Sequence, residues 1–335
     1  MKINLKRLDR QTIVITGASS GIGLTTAREA ARRGAKVVVA ARAEDALRRL
    51  AEEINGFGEQ AEYVVADVSR REDVQRISAT AIQRFDGYDT WINNAGGGVY
   101  GRIVDVPVDD ERRLFEVNYW GVVYGSRIAA EHLRTHGGAI INIGSVASDR
   151  AIPLQGAYSA SKHAVKAYTD VLRLELRKEG APVSVTLIKP TAIDTPFFKH
   201  AKTYMDAQPV EPPPMYAPDT VTRAILYAAE NPVRDVLVGG AAPLQSMLGR
   251  LAPALGDRFM NATMFEGQKS KRAPEPGDNG FPERFSGDLR ERGNYDVHVC
   301  ESSLYTEIAI RPMVKMAVMT GVGLGIASAL WKRRG

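Results

Sequence analysis

Seven short runs rich in β-branched residues recur along the first 240 residues: TIVITG (12–17), KVVVAAR (36–42), AEYVVADV (61–68), DTWINNAG (89–96), GAIINIGS (138–145), VSVTLIKP (183–190) and RDVLVGG (234–240). Longer stretches of helical periodicity separate them, such as GLTTAREAARRG and EDALRRLAEEING. The runs are mostly continuous in apolar residues rather than alternating, as in strands buried on both faces. Strands alternating with helices build βαβ units, a parallel doubly wound sheet and right-handed crossovers. No internal repeat is evident. The pattern stops near residue 240. Residues 244–266 read as helical with an interruption at Pro253. Residues 267–300 are polar, charged and rich in Gly and Pro, the composition of a linker or arm. An apolar tail, MAVMTGVGLGIASALWKRRG, closes the chain.

Composition narrows the function classes. The formal net charge of +5 over 335 residues is mild, and no basic stripe carries interleaved aromatics, so a nucleic-acid partner is not expected. Cys300 is the only cysteine, which precludes an intrachain disulfide and suits a reducing compartment. The first 17 residues hold too short an apolar run for a signal peptide. The five histidines make no pattern with Cys, Asp or Glu that reads as a metal site, so no metal is expected.

Three stretches point to chemistry. TGASSGIG, Thr16 to Gly23, follows the first strand and opens the first helix. Glycines there let backbone approach a pyrophosphate at a helix N-terminus, although a tight strand–helix turn needs glycine in any case. Its spacing, Gly17-x-x-x-Gly21-x-Gly23, differs from the general dinucleotide fingerprint. The second strand ends in Ala40-Ala41-Arg42 without an acid. An acid at this point binds a ribose 2′-hydroxyl, whereas an arginine accommodates a 2′-phosphate, so NADP(H) is expected over NAD(H); a solvated arginine at a loop start is the plain alternative. AYSASKHAVKAY (157–168) sets Tyr158 one helical turn before Lys162. A nearby cation lowers a phenol's pKa, so the pair reads as a tuned acid/base; by itself the spacing also describes an ordinary helix.

TGASSGIG, Asp67-Val68 after the third strand, Asn93-Asn94-Ala95-Gly96 after the fourth, Asn118, Ser145 and YSASK occur in that order. Together they resemble the short-chain dehydrogenase/reductase family, in its single-domain form, over about residues 8 to 240, and most nearly its bacterial members with a long C-terminal extension. The resemblance implies a Rossmann-type sheet of about seven strands flanked by helices, followed by a helical or irregular extension. It implies a catalytic set of Asn118, Ser145, Tyr158 and Lys162. Tyr158 is then the general acid for carbonyl reduction or the base for alcohol oxidation. Lys162 lowers the tyrosine pKa and binds the nicotinamide ribose, and Ser145 holds the substrate oxygen. Asn118 sits where the fourth helix is locally disturbed and fixes a water. The small Ser159, Ala160 and Ser161 let the Tyr158–Lys162 face approach the cofactor. Cofactor contacts are implied for Gly17, Ser19, Ser20, Gly21, Ile22 and Gly23, for Arg42, for Asp67 and Val68 at the adenine, and for Asn94, Ala95 and Gly96 behind the ribose. Tyr158 and Lys162 join them, as do Pro190, Thr191, Ile193 and Thr195 near the nicotinamide amide. Thr191 stands where the family usually has glycine, and it reaches φ > 0 less cheaply, which bears on the path of that loop.

The expected division is a catalytic domain at 1–266, a polar linker or arm at 267–306 and an apolar tail at 307–335. The substrate is a small carbonyl or alcohol compound, lined by 97–101, 146–155 and 194–216; Phe197, Phe198, Tyr204 and Met205 suggest an apolar one, although aromatic side chains in a lid are also ordinary packing. The family's usual pairing through helices near 108–134 and 155–179 implies a homodimer or homotetramer. Residues 313–334, with Trp331 before Lys332-Arg333-Arg334, read either as an anchor on the cytoplasmic face of a membrane or as a terminal helix on the core. The alternatives to an enzyme are a non-catalytic nucleotide-binding sensor and a membrane-tethered interaction protein.

Overall fold

The structure, a computed structural model, describes residues 3–56, 58, 60–243, 246, 252–273 and 289–311. All seven expected runs enter one parallel sheet: β1 (Thr12–Thr16), β2 (Lys36–Ala41), β3 (Ala61–Val65), β4 (Thr90–Asn93), β6 (Gly138–Ile143), β7 (Val183–Pro190) and β10 (Asp235–Val238). Their spatial order is β10-β7-β6-β4-β1-β2-β3, and β1 aligns Ile13 with Val37 of β2 and with Thr90 of β4. Two small parallel pairs lie outside it: β5 (Val99–Tyr100) with β8 (Lys202–Thr203), and β9 (Met215–Tyr216) with β11 (Val299–Cys300).

The continuous apolar runs follow from helices on both faces. Successive side chains of a strand point to opposite faces. Ile13 and Ile15 pack with Leu24 of α1 (Gly21–Arg32), Leu47 and Leu50 of α2 (Glu44–Asn55), and Val221 and Ile225 of α8 (Pro218–Glu230). Val14 packs on the other face with Val74 and Ile77 of α3 (Arg71–Phe85), Leu133 of α5 (Gly121–His136) and Leu172 of α6 (Gly156–Lys178). Each such fully buried aliphatic side chain stabilises the fold by about 1.5–3 kcal/mol. Between α4 (Val108–Phe115) and α5 the helix widens into one π-turn, Glu116–Trp120. A short α7 (Phe197–His200) follows β7.

The chain leaves β1 toward β2 on one side and meets β4 on the other. The crevice at the carboxyl ends of these strands is where an open α/β sheet binds its ligands. The loops after β1, β4, β6 and β7 all open there.

Beyond β10, helix α9 (Pro253–Gly267) opens with Pro253 in its first turn, where a missing N–H costs nothing. Residues 244, 245 and 247–251 lie outside the described residues. Within the stretch expected as a linker or arm, residues 289–306 pack against the core. Arg28 pairs with Glu291 at 2.6 Å, and the Gly239 N–H donates to Thr306 Oγ1 at 3.0 Å. Ile310, just beyond α10 (Leu304–Ala309), is buried in the same core as Ile13. Polar composition does not reveal this docking, because its partners, such as Arg28 and Gly239, lie far away in sequence. The tail at 313–334 lies outside the described residues. Among the described residues no helix is long and apolar enough to cross a membrane.

Candidate active site

A cavity of about 600 Å³ runs along the carboxyl ends of the strands. One end is the glycine loop. Gly17 has φ +68°, and a Cβ there would lie 2.7 Å from the Ala95 Cα. A Cβ on Gly23 would lie 2.2 Å from the Gly17 carbonyl oxygen. The loop is therefore bare backbone at the start of α1, and its N-cap Ser20 makes no side-chain capping bond. Asn94 fastens it from behind, donating Nδ2 to the carbonyls of Thr16 at 3.0 Å and Gly17 at 3.1 Å. Ser19, Ser20, Gly21 and Ile22 line the cavity, as do Ala95 and Gly96; Gly23, expected as a cofactor contact, does not line it and instead packs against the Gly17 carbonyl and Asn94. This cradle fits a dinucleotide pyrophosphate.

Farther along, Arg42, Asp67 and Val68 line the wall. Burial lowers the Arg42 guanidinium pKa, opposed by Asp67 and reinforced by Arg113. Burial raises the Asp67 carboxyl, but hydrogen bonds from Ser69 and Arg113 outweigh it and hold its pKa below the usual range. Arg113 reaches Asp67 Oδ2 at 2.7 Å. Arg42 after β2 and Arg113 of α4 thus both act on one carboxylate, Asp67, just after β3.

At the middle of the cavity α6 presents Tyr158 and Lys162 one turn apart, and Ser145 follows β6. Ser145 stands beside the Tyr158 phenol and draws its pKa down. The Lys162 ammonium donates to the Ile143 carbonyl at 2.8 Å and stands 5.7 Å from the Tyr158 ring centre. The expected lowering of the tyrosine is not what this arrangement produces. Burial pushes Tyr158 up to about 12, with Ser145 opposing and the Glu211 charge adding. Lys162 is desolvated too, and burial brings it down to about 8. The cation spends its hydrogen bond on a backbone carbonyl, and the phenol's desolvation dominates.

Asn118 lies inside the π-turn, fully buried, where the sequence reading expected a disturbed helix. Its Oδ1 accepts from the Gly97 N–H at 2.9 Å, and its Nδ2 donates to the Gly97 carbonyl at 3.0 Å and to Ser161 Oγ at 3.2 Å. It does not line the cavity; it ties the loop after β4 to α6. Ser159 and Ser161 likewise face protein, not the cavity: Ser159 Oγ accepts from the Ile152 N–H, Ser161 meets Asn118, and Ala160 is exposed.

A family model described as "short chain dehydrogenase" matches residues 11–205. The Bacillus subtilis (strain 168) protein named "Uncharacterized oxidoreductase YxnA" is 46% identical over 324 residues, covering 96% of this chain and 91% of its own. The chain belongs to the short-chain dehydrogenase/reductase family. It is an oxidoreductase with this family's nicotinamide-binding fold and acts on a small molecule. Among solved structures, a Burkholderia phymatum short-chain dehydrogenase/reductase in complex with NAD is similar with TM-score 0.65 and 26% identity, over 82% of this chain and 100% of the other. An alcohol dehydrogenase from the archaeon Thermococcus sibiricus, complexed with 5-hydroxy-NADP, is similar with TM-score 0.61 and 28% identity, over 68% of this chain and 95% of the other.

The departure at Thr191 is resolved across the sheet edge. Thr191 is not among the residues with positive φ. Its N–H and Oγ1 both donate to the Val238 carbonyl, at 3.0 and 3.2 Å. The glycine needed for space just follows the neighbouring strand instead: a Cβ at Gly239 would lie 2.2 Å from Thr191 Oγ1. Pro190, Thr191, Ile193 and Thr195 all line the cavity.

Three features escaped the sequence reading. The segment Arg290–Tyr295 straps the edge of the site: the Arg290 carbonyl accepts from the Gly21 N–H at 2.9 Å, and Asp194 accepts from the N–H groups of Gly293 and Asn294 at 3.0 and 3.1 Å. Tyr295 donates its hydroxyl to the Thr195 carbonyl at 2.9 Å. Helix α9 supplies Phe259, Met260 and Met264 to the cavity wall. Glu211, in a segment expected only as a lining, brings a carboxyl group into it. No local signal marks these residues, because each reaches the site from a distant part of the chain.

Proposed function

We propose that the protein is an NADP(H)-dependent enzyme that moves a hydride between the nicotinamide and a carbonyl or alcohol carbon, with Tyr158 as the proton-transferring group. The reading rests on one observation: Tyr158, Ser145 and Lys162 line the same cavity as the glycine loop and Arg42. When bound, the cofactor supplies or accepts the hydride. Ser145 orients the substrate oxygen beside the phenol. A phenol held up near 12 stays protonated throughout the neutral range, which is the form that carbonyl reduction requires; a developing alkoxide is basic enough to take its proton. Lys162 sets a positive charge one turn away and favours the negative charge that builds on that oxygen. Asn118 holds Gly97 and α6 in register. Arg42, at the end of β2 with no acid beside it in the strand, supports the 2′-phosphate of NADP(H). Phe197, Phe198, Met260 and Met264 give the substrate end an apolar wall.

The test is oxidation of NADPH and of NADH across aldehydes, ketones, quinones and lipid-like oxo compounds, with Tyr158→Phe as the control. The variant should bind cofactor and lose most turnover. Near wild-type kcat on an active substrate would overturn the assignment.

Pairing through α5 and α6 into a homodimer or homotetramer belongs to the same proposal. Val171 and Leu174 on α6 are 50% and 60% exposed, and Trp120 before α5 is 40% exposed. A clean monomer in sedimentation at micromolar concentration would contradict it. Attachment of residues 313–334 to the cytoplasmic face of a membrane is also proposed, from the sequence of that tail. Fractionation of the full chain against one ending at Pro312 tests it; identical detergent-free behaviour would refute it.

A further inference from the structure

We propose that Glu211 and Tyr100 form a recognition point for a hydroxyl group on the substrate, separate from the oxygen that Tyr158 and Ser145 address. The proposal rests on the oxidoreductase reading above and names what its substrate carries.

The substrate end of the cavity is walled by Phe197, Phe198, Met260 and Met264. A carboxyl group in such a wall is costly unless it is held by hydrogen bonds. Glu211 is held on one side only. Its Oε1 accepts from Gln155 Nε2 at 2.8 Å. Gln155, 1% exposed, also meets Gln268 Oε1 at 2.5 Å. Gln268 is fully buried and donates to the carbonyls of Pro153 and Met264 at 2.8 and 2.9 Å. Two separate segments, 153–155 and 264–268, therefore fix Gln155 and through it this carboxyl. Its other side faces Tyr100, which is 1% exposed and sits beside Glu211 without a well-formed hydrogen bond. Glu211, Tyr100 and Tyr158 line the same cavity, and the Glu211 charge acts on both phenols.

The donor and acceptor inventory selects the partner. A hydroxyl group donates to a carboxylate and accepts from a phenol, satisfying both. An ammonium group has no acceptor for the phenol proton, and the Arg150 guanidinium on the same wall, paired with Asp257, repels it. A carboxylate is repelled by Glu211. A bare methylene leaves both polar groups unpaired, the situation in which enzyme sites discriminate most strongly. The class is a neutral ketone or aldehyde bearing a hydroxyl on an otherwise apolar body.

The experiment compares cyclohexanone with 2-, 3- and 4-hydroxycyclohexanone, using NADPH and the full chain. The wild type should favour at least one hydroxy ketone by roughly tenfold or more in kcat/KM, carried mainly by KM. Tyr100→Phe removes one oxygen that has no well-formed bond in the fold, and Glu211→Met leaves Gln155 paired with Gln268. Both should bring the ratio to within about twofold, the size left when a single neutral hydrogen bond is lost. NADPH fluorescence titration checks that the variants fold. Equal turnover of all four ketones by the wild type, or an unchanged ratio in both variants, overturns the hydroxyl site and leaves the oxidoreductase reading intact. If no ketone is reduced, that reading fails on this panel. The site is then read by titration calorimetry of 4-hydroxycyclohexanone and cyclohexanone into the NADPH-loaded protein. Tighter binding of the hydroxy ketone, lost in Tyr100→Phe, supports the site; equal binding overturns it.

Discussion

Replacing Glu211 by glutamine should change stability in a pH-dependent way. Burial raises this carboxyl from 4.5 to about 7, while the hydrogen bond from Gln155 and the nearby Tyr100 hydroxyl pull the other way. Below about pH 4.5 the group is protonated in both the folded and the unfolded chain, and its ionisation costs the fold nothing. As pH rises through 4.5, the unfolded chain releases its proton while the folded chain keeps it, so wild-type stability falls. The loss is complete above pH 7. A displacement from 4.5 to about 7 corresponds to at most about 3 kcal/mol, since water in the cavity screens part of it. Glutamine cannot ionise, and its carbonyl still accepts from Gln155 Nε2. The variant should therefore match the wild type near pH 4.5 and exceed it by about 2–3 kcal/mol at pH 8. In a protein whose net stability is about 5–15 kcal/mol, that is a large change. Thermal unfolding of both proteins across this pH range is the assay, and comparing the two cancels every other titrating group. A constant offset across the range, or a variant that is less stable at pH 8, would refute the reasoning.

Arg42→Ala should weaken NADPH by roughly 10- to 100-fold, the loss of a charge-assisted hydrogen bond, and NADH by less than about threefold; Asp67 keeps Arg113, so the fold should survive. Equal losses in fluorescence titration would make Arg42 structural only. Gly23→Ala forces a methyl group against the Gly17 carbonyl and should cost about 1–3 kcal/mol along with cofactor binding; a variant with unchanged melting and NADPH affinity would show that the loop is not tight. Asp194→Ala strands the N–H groups of Gly293 and Asn294 and should speed proteolysis at 289–295 at a cost of about 1–3 kcal/mol, whereas Asp194→Asn should stay near wild type.

Much of this protein is legible one element at a time. The central strands announce themselves because burial on both faces leaves no polar alternation. Gly17 and Gly23 mark the turn because only a residue without a Cβ fits there. Tyr158 and Lys162 fall on one face because helical geometry places residues four apart together. The tertiary structure decided what spacing does not contain. The carboxyl of Glu211 meets Gln155 from 56 residues away, Gln155 in turn meets Gln268 across 113 residues, and Arg290 crosses 269 residues to reach Gly21. The Thr191 substitution is absorbed by Gly239, just past a strand that pairs with β7 only in the folded sheet. The direction of the Tyr158 shift reversed for the same reason: spacing brings a cation near a phenol, but only packing sets how much water each one loses, and here desolvation outweighs the charge.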